Sequence, residues 1–463
     1  MPTAQARNVM WNAQYEHGLD DVASIVERIA QDIEAGVLRP GDRLPPQREL
    51  ANGLGVKLST ISRAYREAAQ RRLIGGEIGR GTYVLASSSD SLLFAPDVSA
   101  ERLVDLSTNV PVPVPDDTAM ASLIDGLSST ERAQMSGYPG CALVHRAAVA
   151  VGDWMAWRGM TRRPATVVSC AGAHAALQAL LVHATREGDA ILVESLTFPG
   201  LKALARQLRL RLIPVELDGE GVTPEGFDAA ARSSTARLAV LMPNLHNPTG
   251  AVMGDDRRRA IAEIAERRDL TIIEDDAYGA LAGRPPLAED LGSRGIVVSS
   301  LSMTVMPGLR FGFVAGDHPM LAALKRNLHL TSWIMTPLSL RAGSAWIEDG
   351  TAAARTAWQA NAVRERWRQM GQHLGPSDAV AAPHVWLGVD GDAEEAATQL
   401  RQCGVAVVPA ETFASGRTFH SRVRASLTAA PTRADLDTAL AILADFGARP
   451  AALPWAGGST LAR

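Results

Sequence analysis

The sequence predicts an α/β protein with a small helical domain at its N-terminus and a much larger domain built on a mostly parallel, doubly wound sheet. Three observations lead to this prediction. The chain has 463 residues, which is too long for one compact core. Apolar residues first follow a helical period, and later short β-branched runs alternate with helical patterns. We therefore expect domains at residues 15–85 and 106–463, joined by a polar linker at residues 86–105.

The composition excludes several classes of protein. Hydrophobic residues make up 46% of the chain and charged residues 21%, as in ordinary globular proteins. No apolar stretch is long enough to span a bilayer, and the first residues lack the pattern of a signal peptide. The three cysteines are widely spaced and form no CxxC pair, which argues against disulfides and against a zinc site. We expect a cytoplasmic protein with no metal site and no membrane partner.

Positive charge is concentrated near the N-terminus. Residues 36–85 hold nine Lys or Arg residues and four Asp or Glu residues, although the whole chain has a formal net charge of −4. A local basic excess of this kind is typical of a surface that binds a polyanion.

The N-terminal domain begins with three predicted helices. Apolar residues recur every three or four positions from Val22 to Ile33, which indicates the first helix. The pattern predicts a second short helix at residues 46–52 and a third at residues 60–71, separated by a glycine-containing turn. Ser59 is expected to cap the third helix, because a serine hydroxyl can accept from the first free backbone N–H groups.

Two short strands are expected after the helices, at residues 73–78 and 82–85, with Arg80 between glycines at the tip of the hairpin. Three helices and a hairpin form a winged helix-turn-helix, whose third helix enters the major groove of DNA. The glycines would let Arg80 approach phosphate or the minor groove closely. The side chains expected to contact DNA are Arg43, Arg48, Lys57, Ser59, Thr60, Ser62, Arg63, Arg66, Arg80 and Thr82.

The same segment resembles the DNA-binding domain of the GntR family of bacterial regulators. The matching residues are RPGDRLPPQRELANGLGVKLSTISRAYREA at 39–68 and GRGTYV at 79–84. The resemblance covers a whole domain and implies promoter DNA as a partner. A helical bundle without a role in DNA binding is the alternative interpretation.

The large domain shows strands alternating with helices, which favours a mostly parallel sheet. In such sheets, ligands bind beyond the carboxyl ends of the strands. The predicted strands include residues 190–193, 211–215, 239–242, 271–274, 295–299 and 311–315.

Four motifs lie where these strands end or where helices begin. They are SCAGAH at 169–174, PNLHNPTG at 243–250, EDDAY at 274–278 and SSLSMTVMPGLRFGF at 299–313. In this order they resemble the fold-type I aminotransferases, which use pyridoxal phosphate. The resemblance implies that fold for the large domain, with a small α/β subdomain at its C-terminal end.

The resemblance assigns one group of residues to the cofactor phosphate. Gly172, Ala173 and His174 begin a helix, where free N–H groups form a cradle for an anion. Three further phosphate ligands are implied, Ser300, Ser302 and Arg310. By the same resemblance, Tyr138 would reach the phosphate of the neighbouring subunit.

A second group would hold the cofactor ring. Phe198 would lie against the pyridine ring, and Asn247 and Tyr278 would bind the ring hydroxyl. Asp275 would pair with the protonated ring nitrogen, because a carboxylate keeps the ring electron-poor. Asp276 could exchange roles with Asp275, although the spacing to Tyr278 favours Asp275.

One arginine would bind the carboxylate of a ligand. Arg424, in the sequence VRAS at 423–426, aligns with the arginine that holds the substrate carboxylate in the aminotransferases. An exposed arginine on a strand, with no ligand, is the alternative.

The position of the cofactor-binding lysine is occupied by Met303. In the aminotransferases, the residue that follows the serine matched by Ser302 is the lysine that forms the Schiff base. A thioether has no amine and cannot form an imine, so no catalytic residue is expected here. The chain has two other lysines in the large domain, Lys202 and Lys325, and both lie in predicted helices where a surface role is expected.

A winged helix-turn-helix fused to an aminotransferase-like domain is the architecture of the MocR subfamily of GntR regulators, and this chain resembles that subfamily over nearly its whole length. The resemblance implies a homodimer, arranged head to tail, that senses pyridoxal phosphate or a related B6 vitamer. Because Met303 replaces the lysine, we expect non-covalent binding of the cofactor, of its amine form, or of an adduct with an amino compound.

Three alternatives stay open at this point. The large domain could sense a different small anionic ligand without pyridoxal phosphate. It could be a working aminotransferase with an accessory domain, which the retained pocket residues would favour. It could also be a structural or partner-binding module in which the pocket is a relic.

Overall fold

The computed structural model divides the chain into two compact units, Met1–Asp97 and Val98–Arg463. It describes residues 21–34, 37–38, 42–70, 73–77, 81–84, 103–331, 333, 335–416 and 421–451. Each unit is described by itself.

The N-terminal unit is a winged helix-turn-helix, which confirms the predicted fold. Its helices are α1 (Val22–Glu34), α2 (Gln47–Leu54) and α3 (Leu58–Gln70), and its strands are β1 (Arg43–Leu44), β2 (Ile74–Glu77) and β3 (Gly81–Val84). The apolar side chains of the three helices meet in one core around Ile29, Leu50 and Ile61, which are fully buried. Gly55 turns the chain between α2 and α3 with a φ of 68°, a conformation that favours glycine.

Two local details of this unit differ from the sequence-based expectation. The third helix begins at Leu58, because the backbone N–H groups of Thr60 and Ile61 already donate to the carbonyl of Lys57. Ser59 therefore lies inside the helix, and its predicted role as the cap is wrong. The sheet also has a third strand, β1, which pairs antiparallel with β3 and has only two residues, too few to show a strand period.

The larger unit contains fourteen helices and fifteen strands among the described residues. The helices are α4 (Ala119–Asp125), α5 (Ser129–Gln134), α6 (Cys141–Trp157), α7 (Ala173–Ala184), α8 (Pro199–Gln207), α9 (Pro224–Ser233), α10 (Asp255–Arg268), α11 (Gly279–Ala282), α12 (Ala288–Leu291), α13 (Met320–Arg326), α14 (Pro337–Glu348), α15 (Thr351–Leu374), α16 (Ala393–Gln402) and α17 (Arg433–Asp445). The strands are β4 (Val104–Asp105), β5 (Thr166–Ala171), β6 (Ala190–Glu194), β7 (Arg211–Val215), β8 (Leu217–Asp218), β9 (Gly221–Val222), β10 (Leu238–Leu241), β11 (Thr271–Asp275), β12 (Gly295–Ser300), β13 (Phe311–Gly316), β14 (His384–Gly388), β15 (Val405–Ala406), β16 (Val408–Pro409), β17 (Arg422–Ser426) and β18 (Arg449–Pro450).

A seven-stranded sheet forms the centre of this unit, in the order β5-β13-β12-β11-β10-β6-β7. Its strands are parallel except β13, which runs antiparallel to both of its neighbours. Strands β6, β10, β12 and β13 are buried along their whole length, as expected for apolar strands with helices on both faces. The predicted doubly wound α/β fold is confirmed.

A smaller antiparallel sheet, in the order β16-β17-β14-β18, belongs to the C-terminal part of the chain and packs with α16 and α17 around one apolar core. The predicted C-terminal α/β subdomain is therefore present. Strand β4 pairs with β15 of this part. Val104 and Asp105 therefore lie in the large unit and not in the predicted linker. None of the helices in the described part of the chain is long and apolar enough to cross a lipid bilayer.

Candidate functional site

The topology of the large sheet brings three of the predicted motifs to one edge. Strands β5, β11 and β12 end at this edge, and β13 begins there because it runs in the opposite direction. The register places Phe311 opposite Ala171 and Gly312 opposite Ser300. Residues that lie far apart in the chain therefore converge where ligands bind in doubly wound sheets.

The convergence of Gly172 and Arg310 forms an anion cradle at the start of α7. Gly172 has a φ of 93°, and a Cβ atom there would lie 2.6 Å from Nη2 of Arg310. The positive φ favours glycine, and the guanidinium of Arg310 lies beside it and donates to the carbonyl of Ala171 at 3.2 Å. The backbone N–H groups of Ala173 and His174 lie in the first turn of α7, where a helix has no internal acceptors for them.

Two serines complete this cradle. The backbone N–H of Ser302 donates to Oγ of Ser300 at 3.3 Å, which ties the two residues together. The Ser302 hydroxyl is buried and has no hydrogen-bond partner among the described residues. A buried hydroxyl without a partner costs free energy, so its presence at the cradle fits a phosphate oxygen.

Asp275 lies at the end of β11 with its carboxylate held by one hydrogen bond, from the N–H of Ala277 at 3.2 Å. Burial, with a further contribution from the charge of Glu194, raises the pKa of Asp275 to about 7. A cationic ring nitrogen beside this carboxylate would compensate for its desolvation, because an opposite charge favours the ionised form.

The neighbouring carboxylates of β11 belong to a separate buried network. Arg158 donates to both oxygens of Asp276 at 3.1 Å, and Asn244 donates to Asp276 at 3.2 Å and to Glu274 at 3.4 Å. Arg258 donates a hydrogen bond to the side-chain oxygen Oδ1 of Asn244 at 2.6 Å. This network engages Asp276, so the structure favours Asp275 as the partner of the ring. Sequence reasoning missed Arg158, which belongs to no motif, and gave no role to Asn244, although it lies in the motif at 243–250.

Arg424 is buried, with 3% of its surface exposed. It donates through Nη1 to Oδ1 of Asn247 at 3.1 Å and through Nη2 to the carbonyl of Ser107. Its Nε has no hydrogen-bond partner among the described residues, and burial lowers the pKa of Arg424 to about 10. The alternative of an exposed strand arginine is therefore wrong, and a buried guanidinium of this kind could bind an anion.

The Tyr278 hydroxyl accepts a hydrogen bond from Asn109, which also contacts His384. Sequence reasoning missed both of these residues. Asn109 donates through Nδ2 to the Tyr278 hydroxyl at 2.8 Å and lies 3.1 Å from Nδ1 of His384. The other ring nitrogen of His384 lies 3.0 Å from the carbonyl of His246. Burial raises the pKa of Tyr278, so its phenol stays protonated. No sequence signal identifies Asn109 or His384, because each is a single polar residue outside a motif.

Met303 lines a cavity together with Asn109 and Tyr278. Neither remaining lysine lines this cavity. Lys202 donates to the carbonyl of Thr412 at 2.8 Å, and Lys325 lies exposed on α13.

Two aromatic residues were predicted for the pocket. Phe198 directly precedes α8 and contacts His174 in an edge-to-face arrangement, with 6.0 Å between ring centroids. Tyr138 is 75% exposed and stacks on Trp333 at 5.3 Å. Tyr138 contacts none of the pocket residues of its own subunit in the described part of the chain.

The residues of the N-terminal unit that are predicted to contact DNA differ in how far they are exposed. Thr60 and Thr82 are half-buried, and the Ser62 hydroxyl donates to Gln47 on α2 at 2.7 Å. Arg80 and the side chain of Arg43 lie outside the described residues. The exposed ones are Arg48, Lys57, Ser59, Arg63 and Arg66.

Comparison with known protein families matches both units. Residues 101–443 match the family "Aminotransferase class I and II". Residues 22–84 match the family "Bacterial regulatory proteins, gntR family".

Individual relatives share the combination of both units. The HTH-type transcriptional regulator YdeF of Bacillus subtilis (strain 168) is 28% identical over 443 residues, which cover 91% of this chain and 93% of the relative. The vitamin B6 salvage pathway transcriptional repressor PtsJ of Salmonella typhimurium is 29% identical over 413 residues, covering 86% and 92%.

Solved structures show the same fold for the large unit. An archaeal alanine:glyoxylate aminotransferase has a TM-score of 0.68 at 20% identity and covers 74% of this chain and 90% of its own. The α-aminoadipate aminotransferase LysN of Thermus thermophilus, complexed with N-(5'-phosphopyridoxyl)-L-leucine, has a TM-score of 0.67 at 22% identity, covering 78% and 94%.

Proposed function

Because the chain belongs to the class I and II aminotransferase family and is a DNA-binding regulator with a GntR-type reader, the MocR architecture, we propose that its large domain senses a B6 vitamer without covalent attachment and without transamination. The observation that carries this proposal is Met303, which stands where the aminotransferases have the Schiff-base lysine and which lines a cavity together with Tyr278 and Asn109.

The described residues fit pyridoxal phosphate or a related vitamer. The phosphate would be held by Ser300, Ser302 and Arg310 with the first turn of α7, where the Ser302 hydroxyl lacks a partner. Asn247 and Tyr278 would bind the ring hydroxyl, Asp275 would pair with the ring nitrogen, and Phe198 would lie against the ring.

When bound in an enzyme of this fold, the cofactor supplies an electron-poor ring that stabilises negative charge on an attached amino acid. Met303 offers no amine to anchor that chemistry or to move a proton, because a thioether neither forms an imine nor accepts a proton at neutral pH. The pocket residues therefore bind and orient the vitamer, and the pocket reports its presence.

The response would pass to DNA through a homodimer in the cytoplasm. A ligand that binds one arrangement of the dimer more tightly than another shifts the population toward it, and so changes how two readers address two half-sites. The relative PtsJ is named as a repressor of vitamin B6 salvage, which supports a vitamer as effector here.

A titration with pyridoxal phosphate tests the proposal, using the unmodified chain, Met303→Lys and Met303→Leu. We expect the unmodified chain and the Leu variant to bind the vitamer but to gain no covalent label at position 303 after reduction with borohydride. The Lys variant alone should carry the reduced vitamer at that position in a peptide mass spectrum, because it restores the amine that forms an imine.

Two results would contradict the proposal. If no B6 vitamer binds the unmodified chain while another small anion does, the pocket serves a different ligand. If the unmodified chain converts an amino acid to its keto acid at the rate of an ordinary aminotransferase, the domain is an enzyme.

A further inference from the structure

We infer that Asn109 is a specificity-determining residue of the pocket and that it favours the aminated form of the vitamer, pyridoxamine phosphate, over the aldehyde form. The inference rests on the proposed function, because it names the ligand that the same pocket prefers. It starts from the cavity that Asn109, Tyr278 and Met303 line together.

The orientation of the Asn109 amide is fixed from behind by His384. Nε2 of His384 lies 3.0 Å from the carbonyl oxygen of His246, which can only accept, so Nε2 carries the proton. His384 is fully buried, and burial lowers its pKa to about 3, so the ring is neutral and has one N–H. Nδ1 of His384 is therefore an acceptor.

An acceptor at Nδ1 requires a donor from Asn109. The group 3.1 Å from Nδ1 must be the NH₂ of the amide, and its second proton goes to the Tyr278 hydroxyl oxygen at 2.8 Å. Both donors of Asn109 are then used. The Tyr278 hydroxyl accepts from Asn109, so its own proton remains available for a ligand.

This chain of hydrogen bonds leaves one polar atom without a partner. Oδ1 of Asn109 is buried and makes no hydrogen bond among the described residues, although 91% of the residue's surface is covered. The amide cannot flip to use it, because a flip would set Oδ1 against the lone pair of His384. A buried acceptor without a donor favours a ligand that supplies an N–H.

The pocket thus presents an acceptor, Oδ1 of Asn109, near a donor, the hydroxyl of Tyr278. The complementary ligand carries a donor beside an acceptor. Pyridoxamine phosphate has this pattern, since its aminomethyl group is adjacent to the ring oxygen. Pyridoxal phosphate carries two acceptor oxygens side by side, so its aldehyde group has no proton to offer to Oδ1. Met303 adds no donor that could compensate.

Calorimetric titration of the full chain with three ligands tests the inference. The ligands are pyridoxamine phosphate, pyridoxal phosphate and 4-deoxypyridoxine phosphate, which has a methyl group in place of the amine or aldehyde. We expect the amine to bind about tenfold more tightly than the methyl compound, because a hydrogen bond from a charged donor to a buried acceptor contributes that much, and the aldehyde to bind most weakly.

Two variants assign the preference to Asn109. In Asn109→Leu, which removes the acceptor at similar volume, the affinities for the amine and the methyl compound should agree within about threefold. Val110→Ala changes the adjacent wall of the same cavity without removing a polar group, and it should keep the preference. The comparison of the three ligands on the unmodified chain decides the question even if the Leu variant fails to fold.

The titrations distinguish a failure of this inference from a failure of the proposed function. Equal binding of the three ligands, or tighter binding of the aldehyde, would overturn the inference and leave the proposed function standing. A preference that survives in Asn109→Leu would overturn the role of Asn109. Binding of none of the three would overturn both the inference and the proposed function.

Discussion

Nη1 of Arg424 donates to Oδ1 of Asn247 at 3.1 Å, so two residues 177 positions apart in the chain form one polar wall of the pocket. This bond uses the carbonyl of the asparagine and leaves its NH₂ group for a ligand. It also fixes the buried guanidinium, whose Nε has no hydrogen-bond partner in the part of the chain that the structure describes.

The variant Arg424→Lys should separate ligands by their carboxylate. Lysine keeps the charge but loses the planar fork of the guanidinium. We expect the affinity for N-(5'-phosphopyridoxyl)-L-leucine to fall by about tenfold or more, and the affinity for pyridoxamine phosphate, which has no carboxylate, to change by less than about threefold. Titration calorimetry measures both. Arg422→Lys on the same strand is the control, and an equal loss for both ligands would contradict the role of Arg424.

The variant Asp275→Asn should show a pH-dependent gain in stability. The folded pKa of Asp275, about 7, lies above its ordinary value of 3.8. As pH rises between these values, the unfolded chain ionises first, so the folded state loses stability that the Asn variant keeps. We expect the variant's advantage in the free energy of unfolding to grow by up to about 3 kcal/mol from about pH 5 to about pH 8.

Denaturant unfolding of the ligand-free chains at the two pH values measures this difference. The same variant should bind vitamers more weakly, because an amide does not compensate a ring cation. A stability difference that stays constant or shrinks with rising pH would show that Asp275 is not held in a desolvated state.

The variant Arg158→Met should destabilise the large domain. Arg158 and Asp276 are each 2% exposed at their side chains, so the substitution leaves a buried carboxylate without its charge partner. We expect a loss of about 3–5 kcal/mol in the free energy of unfolding. Arg163→Met removes a pair with Asp153 in which the side chains are 62% and 44% exposed, and it should cost less than about 1 kcal/mol. Similar losses in both variants would contradict this account.

The variant Lys57→Ala should weaken DNA binding without changing its sequence preference. Lys57 is exposed directly before α3, where a lysine contacts phosphate as a point charge. We expect a uniform loss of affinity for the chain's own upstream DNA and for random DNA, and a salt dependence reduced by about one unit of slope. Fluorescence anisotropy over a range of salt concentrations measures both.

Arg132→Ala removes one exposed charge from the large domain and serves as the control. It should leave the slope unchanged. An unmodified chain that binds its upstream DNA no better than random DNA would contradict the regulator function itself.

The sequence predicted much of the fold because the signals are local. The apolar strand at 271–275 and the helical stripe from Val22 to Ile33 are visible as periods within a few residues. The same locality explains the errors. Strand β1 has two residues and shows no period, and the pairing of Val104 and Asp105 depends on a strand some 300 residues later.

The residues of the candidate site also divide into those that local motifs reveal and those that only the fold brings together. The sequence alone determined that the motifs contain Asp275 and Arg310 and that a thioether, Met303, stands at the lysine position. Only the tertiary structure decided that Asp276 is held by Arg158 and Asn244 while Asp275 is not, and that Asn109 links Tyr278 to His384. The reason is physical: these hydrogen bonds join residues up to 275 positions apart, and only the fold brings them to within about 3 Å of one another.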